Sequence, residues 1–420
     1  MAAADPAGHV SLRRVAIVLG LLEMFGPISM DLYMPALPRL ATDLGTSQSL
    51  AQATMSACML GLALGQLVVG PLSDRYGRRT PLLIGVGMFA VLSLVCAVTP
   101  SVELLLAARF FQGLSGSAGI VICLAVARDL AEGVELVRLL AMLTTVGALA
   151  PIVAPVVGGQ LAAVIGWRGI FAVLAAIGAG LFVLAMTSLP ESLPPSARHT
   201  SGGGTGQFRA VLRDRLFLSF LVVGAFGGVA FFTYLASISF VLQDSFGLSP
   251  QWFSVCFAAN AVMSVVGAQI NRVVVRRVGP ARMYTVGTVI TASAAVAMCV
   301  SVLFHAGLVV LLIALALQML VGGGTQSNGS ALALADHGER AGTAAALLGT
   351  SSFAVGPIVA PLVSLSGTSP LSMSLTMAVA YGCAAVLVCV AVVPRLRRRP
   401  VEPVVAAIEA EVEVVPPGAL

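Results

Sequence analysis

The sequence predicts an all-α membrane protein of twelve transmembrane helices in two pseudo-symmetric six-helix halves. Hydrophobic residues make up 58% of the 420 positions, charged residues only 10%, and the mean hydropathy is +1.00. A soluble globular chain carries about 25% charge, and a disordered chain lacks this much apolar material. Twelve apolar runs are long enough to span a bilayer, and the arginines fall on alternate connections between them. The seven cysteines lie singly inside apolar runs and form no CxxC pair, so they read as small core residues and neither a disulfide frame nor a metal site.

A spanning helix needs about 20 mostly apolar residues. In order, the runs are Val15–Leu37, Leu50–Val69, Pro81–Val98, Val102–Val126, Arg138–Ile165 and Gly169–Leu189. Leu216–Leu242, Gln251–Ile270, Met283–Phe304, Gly307–Leu334, Thr343–Leu365 and Leu371–Val393 complete the set. The first follows Arg13 and Arg14 without a small-residue cleavage site, which reads as a retained span. All 23 basic residues are Arg. With the N-terminus in the cytoplasm, 20 of them lie on the inner segments, two (Arg39 and Arg168) on the outer segments, and Arg109 within a span. Positive charge concentrates on the cytoplasmic side, so both termini are expected there.

Between spans six and seven lies a Gly/Ser/Pro-rich stretch containing PPSARHTSGGGTGQ. It reads as a flexible linker. The expected organisation is a first half at 1–189, a linker at 190–215, a second half at 216–394 and a cytoplasmic tail at 395–420. The halves share a trace of repetition. APIVAPVV at 150–157 and GPIVAPLV at 356–363 match at six of eight positions, 206 apart, as parallel repeats of a transporter would.

The loop after span two reads Gly70-Pro-Leu-Ser-Asp74-Arg75-Tyr-Gly77-Arg78-Arg79. Its glycines would let helix ends approach, and Asp74 could pair with an Arg or sit at a helix N-terminus. A plain positive-inside turn is the other reading. This loop resembles the signature loop of the major facilitator superfamily of secondary transporters. Arg109-Phe-Phe-Gln112-Gly113 resembles the span-four motif of that superfamily's drug:proton antiporters. Pro151-Ile-Val-Ala-Pro155-Val-Val-Gly158-Gly159 resembles their span-five antiporter motif. Asp31-Leu-Tyr-Met-Pro35-Ala-Leu-Pro38 resembles the end of span one in the bicyclomycin/chloramphenicol-resistance branch. The motifs depart from the pattern in two places. Ala150 stands where the span-five motif usually has Gly, and the second-half loop Asn271–Gly279 has no counterpart of Asp74.

Charges inside a bilayer are costly, about 2.5–3.5 kcal/mol each on insertion scales, and mark function. Glu23, Asp31 and Arg109 are the candidates for proton coupling. Glu23 and Asp31, eight residues apart, share one broad face of span one. Asp31 and Arg109 lie at matching depths from the outer surface and are expected to pair, as a coupling pair or as a structural one. Glu23, nearer the midplane, has no basic partner in the pattern and suits a proton carrier. Candidate substrate contacts are Tyr33, Met30, Met55, Tyr234, Asn260 and Gln318. Intramembrane polar groups also serve as helix–helix contacts, and methionines as core filling. Gly70, Asp74, Gly77, Arg78 and Arg128 form the expected conformational latch, with Asp74 pairing Arg128 and approaching Gly342 at the start of span eleven. Pro151, Pro155, Gly158 and Gly159 are expected to kink span five and pack it tightly.

The resemblance implies proton-driven export of small lipophilic drugs, including phenicol-type antibiotics, across the cytoplasmic membrane by alternating access. The expected partners are a small-molecule drug, protons and the lipid bilayer, with no nucleic acid, no metal and no cofactor beyond the proton gradient. A monomer is the expected state. Proton-coupled import of a metabolite by the same fold is the alternative. A membrane enzyme is not expected, because the longest hydrophilic stretch is the Gly-rich linker and the four His lie outside the spans, and ATP drive is not expected without a phosphate-binding loop.

Overall fold

The computed structural model describes residues 12–131, 133–194, 211–335, 337 and 341–397. Most of the linker (195–210) and the tail beyond 397 lie outside them. The described residues form twelve helices of 18 to 32 residues. They are α1 (Leu12–Asp31), α2 (Gln48–Tyr76), α3 (Arg79–Val98), α4 (Val102–Leu130), α5 (Gly133–Val164) and α6 (Gly166–Ser188). The second six are α7 (Arg215–Phe240), α8 (Pro250–Val278), α9 (Pro280–Leu303), α10 (Gly307–Leu334), α11 (Ala341–Val363) and α12 (Pro370–Leu387). Among the described residues, nine of these helices are each long and apolar enough to cross a bilayer. A bent pair, Val15–Gly26 and Ile28–Asp43, turns by 43° at Pro27 and makes a tenth.

The repeat written into the sequence recurs in the helices. Ser47 caps α2 through the Leu50 amide, and Ser249 caps α8 through the Trp252 amide. Both helices then run for 29 residues and stop at a glycine with positive φ, Gly77 (91°) and Gly279 (84°). That backbone is strained for any side chain, so glycine sets both helix ends.

Close helix crossings are built from glycine notches. A Cβ on Gly113 would land on the Cys58 carbonyl, and one on Gly61 on the Phe110 carbonyl, which locks α2 against α4. In the second half, Gly267 of α8 and Gly323 of α10 fit against the Leu320 and Ser264 carbonyls in the same way. Gly119 of α4 fits against the Leu22 carbonyl of α1. Removing these Cβ atoms brings backbones close enough to bury polar groups between helices.

Every side-chain hydrogen bond that joins the two halves among the described residues lies at one end of the bundle. Ser49 donates to the Pro361 carbonyl at 2.7 Å, and Gln52 bonds Thr368 and Ser364, both at 2.7 Å. Gln48 donates to Asp244 and accepts from the Thr368 amide, both at 3.0 Å. Ser239 and Gln243 of the second half donate to the Met34 and Pro35 carbonyls at 2.8 and 2.9 Å. Gly159 of α5 fits closely against Ser254 and the Pro250 carbonyl of α8 at the same end.

Candidate functional site

The site starts from the crossing of α1 and α4, where the glycine notches leave room for one buried cation. Arg109 is completely buried. Its Nη1 donates to Gln112 Oε1 at 2.5 Å and to the Ser29 carbonyl at 3.4 Å. Gln112 in turn donates to Ser93 at 2.6 Å. The guanidinium lies 4.5 Å from the Tyr33 ring centre and 5.4 Å from that of Phe171. Aromatic faces and carbonyl oxygens thus stand where a carboxylate was expected. The Tyr33 hydroxyl is held by Thr54 at 2.8 Å.

The expected Asp31–Arg109 pair is not formed, and no ion pair among the described residues involves either group. The depth reading places Arg109 correctly, because its partners Ser29 and Tyr33 flank Asp31. The direction is what differs. Residues two apart on a helix lie on nearly opposite faces, so a cation that meets Ser29 and Tyr33 has Asp31 turned away from it.

Asp31 lies where its charge reaches the second half. It is 8% exposed and lies within electrostatic reach of Tyr234, which also interacts with the Asn260 side chain. Tyr234 is buried and its ring stacks on Phe257 at 5.9 Å. Of the candidates, Asp31, Tyr234 and Asn260 are therefore electrostatic neighbours across the interface, whereas Tyr33 belongs to Arg109. Met30 and Met55 are buried in the core cluster shared by both halves. Gln318 sits away from them in α10, donating to the Ala314 carbonyl at 3.3 Å. Glu23 is half-buried, and its Oε2 is enclosed without a hydrogen-bond partner.

The latch loop differs from expectation in its partners. Arg78, not Arg128, pairs Asp74, and it also bonds Ser73 at 2.9 Å and Asp129 at 3.0 Å. Burial works against the Arg78 cation. Hydrogen bonds and attraction from Asp129 and Asp74 outweigh it and hold its pKa above the ordinary arginine value. Glu191, just beyond α6, accepts from the Arg78 amide at 2.7 Å and the Arg79 amide at 3.3 Å. Arg128 is exposed. It and Asp129 are neighbours on the last turn of α4, about 100° apart, and only the packing of α4 decides which faces the loop. In the structure described here the network joins α2, α4 and the end of α6 within the first half. Gly77 is required by its backbone, while Gly70 is not. A Cβ at Gly70 would meet only Val121, at 3.8 Å.

In the span-five motif, Pro151 and Pro155 lie inside one continuous helix. Gly158 fits against the Leu32 carbonyl while Gly159 fits against α8. The motif therefore presses α5 onto both the end of α1 and the opposite half.

Two six-helix bundles joined at one end, with the buried carboxylate of Asp31 near the seam, define a membrane transporter that works by relative movement of its halves. The chain belongs to the Major Facilitator Superfamily, whose family model matches residues 19–361. It is 36% identical over 377 residues to the uncharacterized MFS-type transporter YdgK of Bacillus subtilis, covering 89% of this chain and 94% of that one. It is 30% identical over 349 residues to a bicyclomycin resistance protein homolog of Haemophilus influenzae, covering 83% and 88%. In fold it is similar to a D-xylose-proton symporter, with a TM-score of 0.71 at 15% identity over 89% of this chain and 97% of that one.

Proposed function

We propose that this transporter exports small lipophilic drugs, of the kind met by resistance proteins among its relatives, in exchange for protons. The observation that carries the proposal is Asp31. It is a buried carboxylate with no cation against it, set where the first half meets Tyr234 of the second. Such a group can hold a proton in one state of the cycle and release it in another. Arg109 stays in place throughout as a fixed positive charge on the same helix pair. Glu23, deeper along α1, offers a second carboxyl on the proton route.

The arginine distribution puts both termini in the cytoplasm of a multi-pass protein of the cell membrane. On that orientation the end tied by Gln48, Ser49, Gln52, Ser239 and Gln243 is the external face. The described state is then closed outside, and the cargo enters from the cytoplasmic side. The unit of transport is a single chain.

Reconstitution in liposomes with an imposed pH gradient tests the proposal. The intact chain should drive drug against its gradient and alkalinise the compartment into which it moves drug, and Asp31→Asn should abolish both. Uphill transport by Asp31→Asn at the intact rate would remove Asp31 from the coupling. Drug movement with no proton flux in the intact protein would refute antiport.

A further inference from the structure

The turn between α8 and α9 carries four arginines, Arg272, Arg276, Arg277 and Arg282, within eleven residues. All four are exposed. Gly279, with its positive φ, is the single residue between the two helices, so the four charges share one tight corner. Arg272 and Arg276 are four apart on one helix face, where like charges repel. Neither helix contains an Asp or Glu. Among the described residues, none of the four side chains has a hydrogen-bond or ion-pair partner. The corresponding corner of the first half is satisfied from within that half. Arg78 is held by Asp74 and Asp129, and Arg79 donates to the Met186 carbonyl at 2.7 Å.

A countercharge is encoded in the tail. From residue 400 on, the sequence holds Glu402, Glu409, Glu411 and Glu413 and no Arg. The described chain stops at Arg397, and its last helical turn, Val393–Arg397, packs on α9. An extended chain spans about 3.3–3.6 Å per residue, so Glu402 can reach about 17 Å from Arg397 and Glu413 about 55 Å. Packed helices lie about 8–10 Å apart, which puts the whole corner within range. Along 408–414, Glu alternates with Ile, Ala and Val. Laid out as an extended segment, that stretch would turn Glu409, Glu411 and Glu413 to one side and the apolar residues to the other. The other acidic residues on this side of the second half have basic neighbours. Asp214 lies 3.4 Å from His337, and Asp336 and Glu339 share their connection with Arg340.

We propose that the acidic segment 402–413 docks on the arginine corner of α8 and α9. Each exposed ion pair is weak and screened by salt. Tethering makes the set effective, because α12 delivers the tail beside the corner and keeps its effective concentration high. Four carboxylates there cancel the positive field at the cytoplasmic end of the second half. Docking of this kind does not depend on which cargo the transporter carries.

The test uses the full chain without native cysteines, in phosphatidylcholine nanodiscs, with spin labels at Val273 and Ala407. Val273 is 66% exposed and lies among the arginines of α8. In 0.1 M salt a short-distance population should dominate. Glu402→Gln, Glu409→Gln, Glu411→Gln and Glu413→Gln together should lower the ratio of short to long distances about tenfold, as the loss of four exposed pairs implies. These substitutions touch none of the membrane helices. In 1 M salt, where the screening length falls to about 3 Å, the parent should behave like the fourfold variant. Arg276→Gln should lower the ratio in the parent and add little in the fourfold variant. Arg39→Gln, at the other end of the bundle, should change neither. A broad distribution in the parent that the four Gln substitutions leave unaltered overturns the docking, and so does a short-distance population that survives them. Short distances seen in phosphatidylcholine and lost when phosphatidylglycerol is included would assign the corner to anionic headgroups and overturn the tail as its occupant.

Discussion

Replacing Gln52 with leucine attacks the contacts that close one end of the transporter. Gln52 is fully buried, donates to Thr368 Oγ1 and accepts from Ser364 Oγ, both at 2.7 Å. Leucine keeps most of the volume and removes both bonds. Ser364 retains its bond to the Ala360 carbonyl at 3.4 Å, so only Thr368 Oγ1 loses its partner. Each neutral bond contributes about 1 kcal/mol net. The pair then amounts to about 2 kcal/mol, or about a 30-fold shift of the equilibrium away from the closed end. The readout is a distance distribution between spin labels at Arg39 and Leu365, both exposed and on opposite halves of that end, in a background without native cysteines. The long-distance population should rise in Gln52→Leu and rise further when Gln48→Leu removes the Asp244 and Thr368 bonds as well. Distributions that overlay the parent in both variants would show that these bonds do not hold the ends together.

Asp129→Asn should loosen the α2–α3 loop by about 1.5–3 kcal/mol, the scale of one charged hydrogen bond, and lower thermal stability in detergent. Arg128→Ala at the adjacent exposed position should leave the melting temperature within error. Gly113→Ala places a Cβ on the Cys58 carbonyl and should cost about 1–3 kcal/mol as an overpacked crossing. Gly70→Ala, with its nearest neighbour at 3.8 Å, should be tolerated in the same melting assay.

The departures from the sequence reading share one character. Asp74 was expected to meet Arg128 and meets Arg78 instead. Asp31 was expected to meet Arg109 and instead lies within electrostatic reach of Tyr234. The first reading reached across to α4 for a partner that stands four residues along in the same loop, and the second had the right helices and height but the wrong azimuth. Asp129 and the Gln48–Gln52 contacts carried no local signal at all. A glutamine on a helix face reads the same whether it meets lipid headgroups, a neighbour or the opposite half.

Composition, span length, arginine placement and the proline-glycine motifs are properties of a chain in a bilayer. The sequence by itself therefore determined the membrane class, the number and order of the helices and the family motifs, because hydrophobic transfer and the placement of charge act residue by residue. The tertiary structure alone decided which face each buried polar group presents, which end of the bundle is tied shut and where empty volume remains. Those depend on helix rotation about its own axis and on crossings set by glycine notches such as Gly113 against Cys58. Rotation by a single residue, about 100°, changes every partner while leaving the hydropathy pattern as it was.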